Sequence, residues 1–555
     1  MKQVFIKRII PPLVTLAAGA GYFYLFYPPI NPRASGFWGM LLFMALVFIV
    51  SFCFARIRGG LAKIKESGKK VTVTVKKPRK SLSKKTVRIT LIVIGIAAVA
   101  LTAALMSSTR LVSASRYQMQ LPVTDGNFAL DIAEVPISQV PVVDRDTAER
   151  LGQRKIGEVV ELVSQFNVSS FFTQINVEEV PTRVSPLEYA DFFKWFGNQS
   201  DGIPYYVKID MATQTTELVE LSQGIKYSPS EYFNRKLERY LRFKYPTLMF
   251  EEFSFEIDDE GNPFWVVSCY SYTIGLLGGK DITAVLLVNA VTGEVGKYDI
   301  GEVPQWIDRV FPAELIVKQA DNWGSLGGGY WNSVFGQKGV TVTTEGYNYL
   351  ALNDDVWMYT GVTSVSQDES NIGFLLVNMR TKEAKFYQVN GAKEYSAMDS
   401  ARGKVQEKGY SATFPILLNI GDMPTYFLSL KDDAGLVKAF AFVSVSNYQI
   451  VGVGDTIALA QQDYLRQLRS ADLTGGEDTQ ETAEKTGRVE SLGSAVLDGN
   501  THYYIKLEGG EDVYIAPVSV SDYLPLLKAG DRVRLTYSKI AGEFGRVEDM
   551  EVISN

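Results

Sequence analysis

The sequence predicts an α+β protein with three N-terminal transmembrane helices, then repeated helix-plus-antiparallel-sheet modules and a small C-terminal β-barrel. Three observations carry this. Residues 56–88 hold thirteen Lys and Arg against one acid, Glu66, between long apolar runs. Two ungapped segments, 286–298 and 375–387, match at 7 of 13 positions. After residue 487, short β-rich stretches alternate with turn residues at regular spacing.

The apolar runs come first. A hydrocarbon core of about 30 Å needs about 20 helical residues, and residues 9–27, 37–55 and 89–106 are uncharged stretches of that scale. Positive charge flanking a span resists translocation. That places the N-terminus (Lys2, Lys7, Arg8) and the basic loop 56–88 in the cytoplasm, the short Arg33 loop outside, and everything beyond about Ser107 outside. The membrane domain is thus 1–110, with a multi-pass protein of the cell membrane expected. The competing reading of the first run is a cleaved signal peptide, with Leu16 to Ala20 offering small residues, but apolar residues continue through Phe23, Tyr24, Leu25 and Phe26.

Charge separates the two parts. Residues 1–88 carry 17 basic residues and one acid, and the remainder has a net charge of −22. An acidic outer part argues against nucleic acid as partner, while the basic loop suits an anionic leaflet. Cys53 lies in the second run and Cys269 in the outer part, so no disulfide is expected and the outer part must rely on its own core. A single-membrane bacterium is the simplest source for such a chain.

The outer part reads as modules: 111–227, 228–310, 311–392 and 393–469. Leu286-Leu287-Val288-Asn289 and Leu375-Leu376-Val377-Asn378 each open a strand, tight turn, strand, and weaker copies start at Tyr206 and Ala441. Ser228-Pro229-Ser230-Glu231 reads as a capping box opening a helix whose face is Phe233, Leu237, Tyr240 and Leu241. Strands flank the turn 258–262 next. In the last module Ala397, Ala401 and Val405 form the helical face.

The hairpin Val288-Asn289-Ala290-Val291-Thr292-Gly293-Glu294-Val295 resembles the closing hairpin of PepSY-type modules, except that Asn289 stands where an acid is usual. Asp210 restores the acid in the first copy, while Gln214 and Lys382 replace the turn glycine elsewhere. The resemblance implies an extracytoplasmic module that binds or restrains other proteins, and it supplies no catalytic residue. A polar linker, 470–486, then leads to 487–555. That segment is similar to an OB-like barrel, with strands near 487–497, 502–507, 512–518, 532–537 and 545–553 and a short helix at 523–527. Its 7 basic and 11 acidic residues have the wrong sign for a phosphate backbone.

Candidates for chemistry are few. His502 is the single histidine, and neither a triad nor a metal set assembles around it. Cys269 reads as a small core residue, and residues 275–280 lack the Ser or Thr of a phosphate-binding loop. The acid pairs Glu251-Glu252, Asp354-Asp355 and Asp432-Asp433 read as solvated turns. No catalytic residue, metal or cofactor is expected. The glycine-rich stretch bearing Trp323, Tyr330 and Trp331 is the candidate partner-binding loop, or else a loop whose rings pack back on the domain. The expected function is a non-enzymatic, membrane-anchored binding or scaffold protein of the bacterial envelope, touching membrane lipid. Its protein partner is a peptidase, a cell-wall enzyme or further copies of itself as a homo-oligomer. The rivals are an envelope hydrolase with a carboxylate site and a self-assembling surface subunit.

Overall fold

Apolar sequence dictates the first three of the four N-terminal helices of the computed structural model, which describes residues 9–66, 84–136, 139–365, 370–471, 482–497, 500–510, 512–521, 523–538 and 545–553. These helices are α1 (Ile10–Phe26), α2 (Ser35–Glu66), α3 (Lys84–Met106) and α4 (Arg110–Gln118). Val71-Thr72-Val73-Thr74-Val75, a run of β-formers in the basic loop that reads as a short strand, and most of the linker 470–486 lie outside the described residues. α1 and α2 form a hairpin in which the Tyr22 and Phe43 rings pack at 4.9 Å, tilted by 30°. Gly19 faces the Met44 thioether, and a β-carbon there would come within 2.9 Å of it.

The expectation of three spans is corrected. Among the described residues one helix, within Ser35–Ala55, is long and apolar enough to cross a membrane alone, or two if α3 and α4 count together. α1 is 17 residues long, a rise of about 25 Å against a core of about 30 Å. α3 spends its first turns on Lys84, Lys85 and Arg88, and its apolar stretch bends by 41° into α4. At the bend the Ser107 and Thr109 hydroxyls donate to the carbonyls of Ala104 and Met106.

One compact unit ends at Val453 and a second begins at Gly454. In the first, the same element order recurs four times: a helix, then four strands paired consecutively as an antiparallel meander. The helices are Arg145–Gly157, Leu237–Lys244, Ala313–Leu326 and Glu394–Lys404. The strands of the second copy, Met249–Ile257, Pro263–Ile274, Gly278–Asn289 and Val295–Asp299, show the pattern without additions. Val123–Asp125 adds in parallel to the edge strand Ala384–Tyr387 of the third copy.

The helix in the second copy starts later than its sequence suggests. Ser228 and Glu231 make no capping box: the Ser228 carbonyl accepts from Leu237 N, and Leu237–Lys244 is the helix. The Glu231 carboxylate is taken by Tyr189 and Trp195 of the first copy, at 3.0 and 2.6 Å. Two buried donors from a neighbouring module outcompete one local N–H.

The closing hairpins share a turn built the same way three times. Asp210, Asn289 and Asn378 each accept, through one side-chain oxygen, from the N–H groups two and three residues on. The fifth residue of each turn, Gln214, Gly293 or Lys382, has positive φ, at 61°, 75° and 67°. Glycine adopts this region without penalty, whereas other residues lose about 1 kcal/mol or more. Gln214→Gly is therefore expected to stabilise the protein by about 1 kcal/mol, read as a higher thermal midpoint. Lys382→Gly gives no such gain, because Lys382 Nζ bonds both carboxylate oxygens of Asp281 at 2.7 and 2.8 Å.

Each copy touches the next, and the fourth returns to the first. Lys431 Nζ bonds Asp144, and Ser429 Oγ donates to Val142 O at 3.2 Å. Burial opposes ionisation of Asp144, but Lys431 and Thr147 hold its pKa below the usual carboxylate range.

In the second unit, helix Ile457–Ser470 precedes five strands, Thr482–Leu497, Asn500–Leu507, Val513–Pro517, Arg532–Ser538 and Gly545–Val552, which pair in a closed circuit. Val489, Ile505, Tyr514, Leu524, Val533 and Leu535 fill the interior. A single 3-10 turn, Leu524–Leu526, stands where a short helix was expected.

Candidate functional site

The first two strands of each copy are joined by a turn rich in acids, and three of these turns are tight two-residue loops. Glu178-Glu179, Asn353-Asp354 and Gly421-Asp422 all have positive φ at both positions, the signature of a type I′ hairpin. Asn, Asp and Gly suit it. Two consecutive glutamates do not, so the first copy holds strained backbone where its neighbours hold relaxed residues.

The turns of copies one and three and the strand Ile416–Ile420 of copy four line a cavity of about 270 Å³. Its lining is apolar at Leu350, Leu352, Ile416, Leu417 and Leu418 and acidic at Asp131, Glu134, Glu179 and Asp354, with no basic side chain among the lining residues. Two of the acids already hold backbone: Asp354 Oδ1 accepts from Glu179 N at 3.1 Å and from Asn176 Nδ2 at 3.2 Å, and Glu134 accepts from Gly421 N. Asp131 lies 3.6 Å from Lys385 Nζ.

Behind the cavity, two fully buried carboxylates join three copies. Asp308 accepts from Asn176 N of the first copy at 2.6 Å and from Val356 N of the third at 3.1 Å. Glu256 of the second accepts from Asp308 N at 2.9 Å, Arg309 N at 3.2 Å and Ser254 Oγ at 3.0 Å. Burial pushes the Glu256 carboxyl up to about 7, against the pull of its N–H donors. Burial and the nearby Glu256 push Asp308 well above its usual range. An acid whose folded pKa is raised contributes stability that is full below its unfolded pKa and is lost as pH rises through the folded value. For Glu256 the window runs from 4.5 to about 7, and the loss across it is roughly 3 kcal/mol. The thermal midpoint is therefore expected to fall between about pH 5 and pH 8, and to fall less in Glu256→Gln.

The acid pair Asp354-Asp355 is thus not a solvated turn. Asp355 is buried and receives Arg380 in a two-pronged pair, Nε at 2.7 Å and Nη2 at 2.8 Å, with Asn378 Nδ2 at 2.9 Å. Glu251 pairs with Lys280, and burial raises the pKa of Glu252. Asp432-Asp433 does sit in a turn, where Asp432 Oδ1 accepts from Leu436 N.

The aromatic candidates separate. Trp323 lies in helix Ala313–Leu326 and packs on Phe386 at 5.6 Å. Tyr330 is half-buried and meets Trp331 edge-on at 5.5 Å. Trp331 is 63% exposed and stacks on Phe335, itself 76% exposed, with an interplanar angle of 13°. Sequence reasoning missed Phe335. Its spacing of four from Trp331 was the available signal, since one helical turn brings such residues together. The loop thus packs back at Trp323 and presents rings at Trp331 and Phe335.

The remaining candidates have structural places. Cys269 is a buried thiol that burial pushes up to about 12. His502 is half-buried in strand Asn500–Leu507. The glycine-rich 275–280 loop receives the α3–α4 bend: Leu276 N and Leu277 N donate to Ser108 Oγ at 2.8 and 3.1 Å, and Gly279 N donates to Tyr117 OH at 3.1 Å. A β-carbon at Gly275 would lie 2.6 Å from Ser108 Oγ. No group of three metal-ligating side chains occurs among the described residues.

No family model matches the chain. No curated protein is similar to it. Among solved structures it has slight likenesses to a mutant of Trypanosoma rangeli sialidase displaying trans-sialidase activity, at 9% identity over 69% of this chain and 53% of that one, with a TM-score of 0.15. A structure described as NanB plus Optactamide is similar at 10% identity over 76% of this chain and 63% of that one, with a TM-score of 0.15. The chain spans between about half and two thirds of the length of these proteins. Likenesses at this level bear on neither fold nor activity.

Proposed function

We propose that this chain is a membrane-anchored binding or scaffold protein of the bacterial envelope, whose PepSY-like modules and OB-like barrel act outside the cytoplasm through protein–protein contact. One observation carries the reading: the ends of the apolar helices distal to the basic loop all meet one module. Arg239 Nε donates to Tyr24 O and Arg242 Nε to Tyr27 O, both at 2.9 Å, at the C-terminal end of α1. The α1–α2 connection reaches the same module through Ile30 N to Pro246 O at 2.7 Å and Arg33 Nη1 to Tyr272 O at 3.1 Å. The α3–α4 bend sits on its 275–280 loop. The basic loop joins the opposite ends of α2 and α3, so charge retention supports the modules being outside. Exposed Trp331 and Phe335 supply apolar, rigid anchors of the kind that dominate protein interfaces.

A membrane-impermeant thiol reagent tests the sidedness in intact cells. It is expected to modify a cysteine engineered beside Asn555 and to leave one beside Lys70 untouched; the reverse pattern rejects the arrangement. Crosslinking from Trp331, followed by identification of what is joined, tests the binding role. The acid-lined cavity favours a second reading, an envelope hydrolase. That reading requires turnover of a cell-wall substrate that Glu179→Gln and Asp354→Asn both abolish.

A further inference from the structure

We propose that the aromatic face made by residues 192–196 and 232–243 rests in the lipid interface of the leaflet from which α1 emerges, so that the first two modules lie on the bilayer. The inference deepens the anchored reading above and depends on it.

Helix Phe192–Asn198 is short, and only its Trp195 is buried. Phe193 and Phe196 are 80% and 64% exposed and Phe233 is exposed beside them, and clustered exposed apolar side chains of this kind mark a protein or membrane contact surface. Around them the rings are continuous. Phe192 meets Tyr232 at 5.2 Å, and Trp195 meets Phe233 at 5.6 Å. Phe243, exposed on the following helix, meets Phe23 of α1 at 5.2 Å and Tyr24 at 6.1 Å. Tyr24 OH also reaches Asn234 Oδ1 at 3.4 Å. The aromatic face therefore continues the last turn of an apolar helix, at the depth where such a helix leaves the hydrocarbon.

Composition favours the same occupant. Aromatic rings concentrate at the membrane–water boundary, and basic side chains beside them are drawn to anionic lipid. Besides the buried Arg242, residues 191–199 and 232–244 carry five Lys and Arg against Asp191 and Glu238, within an outer part whose net charge is −22. Arg239 and Arg242 fix α1 to this module by bonding the carbonyls at its C-terminal end. The face cannot swing away from the helix without breaking both bonds.

The test uses the full chain in bilayer discs of phosphatidylcholine with a minority of phosphatidylglycerol. Cys53→Ala removes the exposed native thiol, while Cys269 is buried and stays. Spin labels are placed singly at Phe193→Cys, Phe196→Cys and, within α2, Leu46→Cys. Collision with oxygen and with a water-soluble nickel chelate reports depth. Labels at 193 and 196 are expected to lie about 5–10 Å below the phosphates. If they collide with the chelate as freely as a label in buffer while Leu46 is deep in lipid, the face does not lie on the membrane and this inference alone is overturned. If Leu46 is itself in water, the anchored reading fails and takes the inference with it.

Discussion

Asp308→Ala is expected to lower the stability of the first unit by about 3–5 kcal/mol, since it strands the buried N–H groups of Asn176 and Val356 and opens a void between three modules. A buried carboxylate is costly to ionise, and replacing a whole buried ionic cluster by apolar side chains can be neutral. Removing one member is different, because the donors it served stay in place without partners. Guanidinium denaturation of the reconstituted protein measures the effect. A midpoint within error of the parent protein would show that Asp308 does not hold the modules together.

Arg242→Met is expected to cost about 2–4 kcal/mol and to loosen α1 from its module. Arg242 is buried, with its guanidinium 4.3 Å from the Phe250 ring centroid and its nitrogens bonded to the carbonyls of Tyr27 and Leu248. Burial pulls its pKa down to about 10, so it stays charged at neutral pH. Methionine preserves much of the stem's apolar contact and supplies no donor, leaving those carbonyls unanswered. Faster protease cleavage in the α1–α2 connection should accompany the lower thermal midpoint. Unchanged cleavage would mean that Arg239 alone suffices to hold the helix end.

Much of the architecture could be read locally. The hairpin match between 286–298 and 375–387 is visible because Asn289 and Asn378 perform the same turn chemistry, and turn chemistry is written in consecutive residues. Strand positions after residue 487 were legible for the same reason. A second repeat went unread: Asn176-Val177 with Pro181-Thr182, and Asn419-Ile420 with Pro424-Thr425, flank equivalent type I′ turns. Only two of four copies keep that wording, and the second copy has the longer turn 258–262. The buried acids were illegible in a deeper sense. Nothing around Asp308 announces that its oxygens will serve Asn176, 132 residues away. Composition made Asp355 look like turn material, yet Arg380 and Asn378 hold it as a buried ion pair. Span counting went astray where length and bending decide, since hydropathy ignores the bend after Met106.

The bond between Lys431 and Asp144 links positions 287 residues apart. A nascent chain delivered N-terminus first presents Asp144 long before Lys431 arrives. The earliest module must therefore wait, with one flank uncovered, until the last has been synthesised. Assembly of the first unit finishes with a closure step whose entropic penalty grows only slowly with the length enclosed.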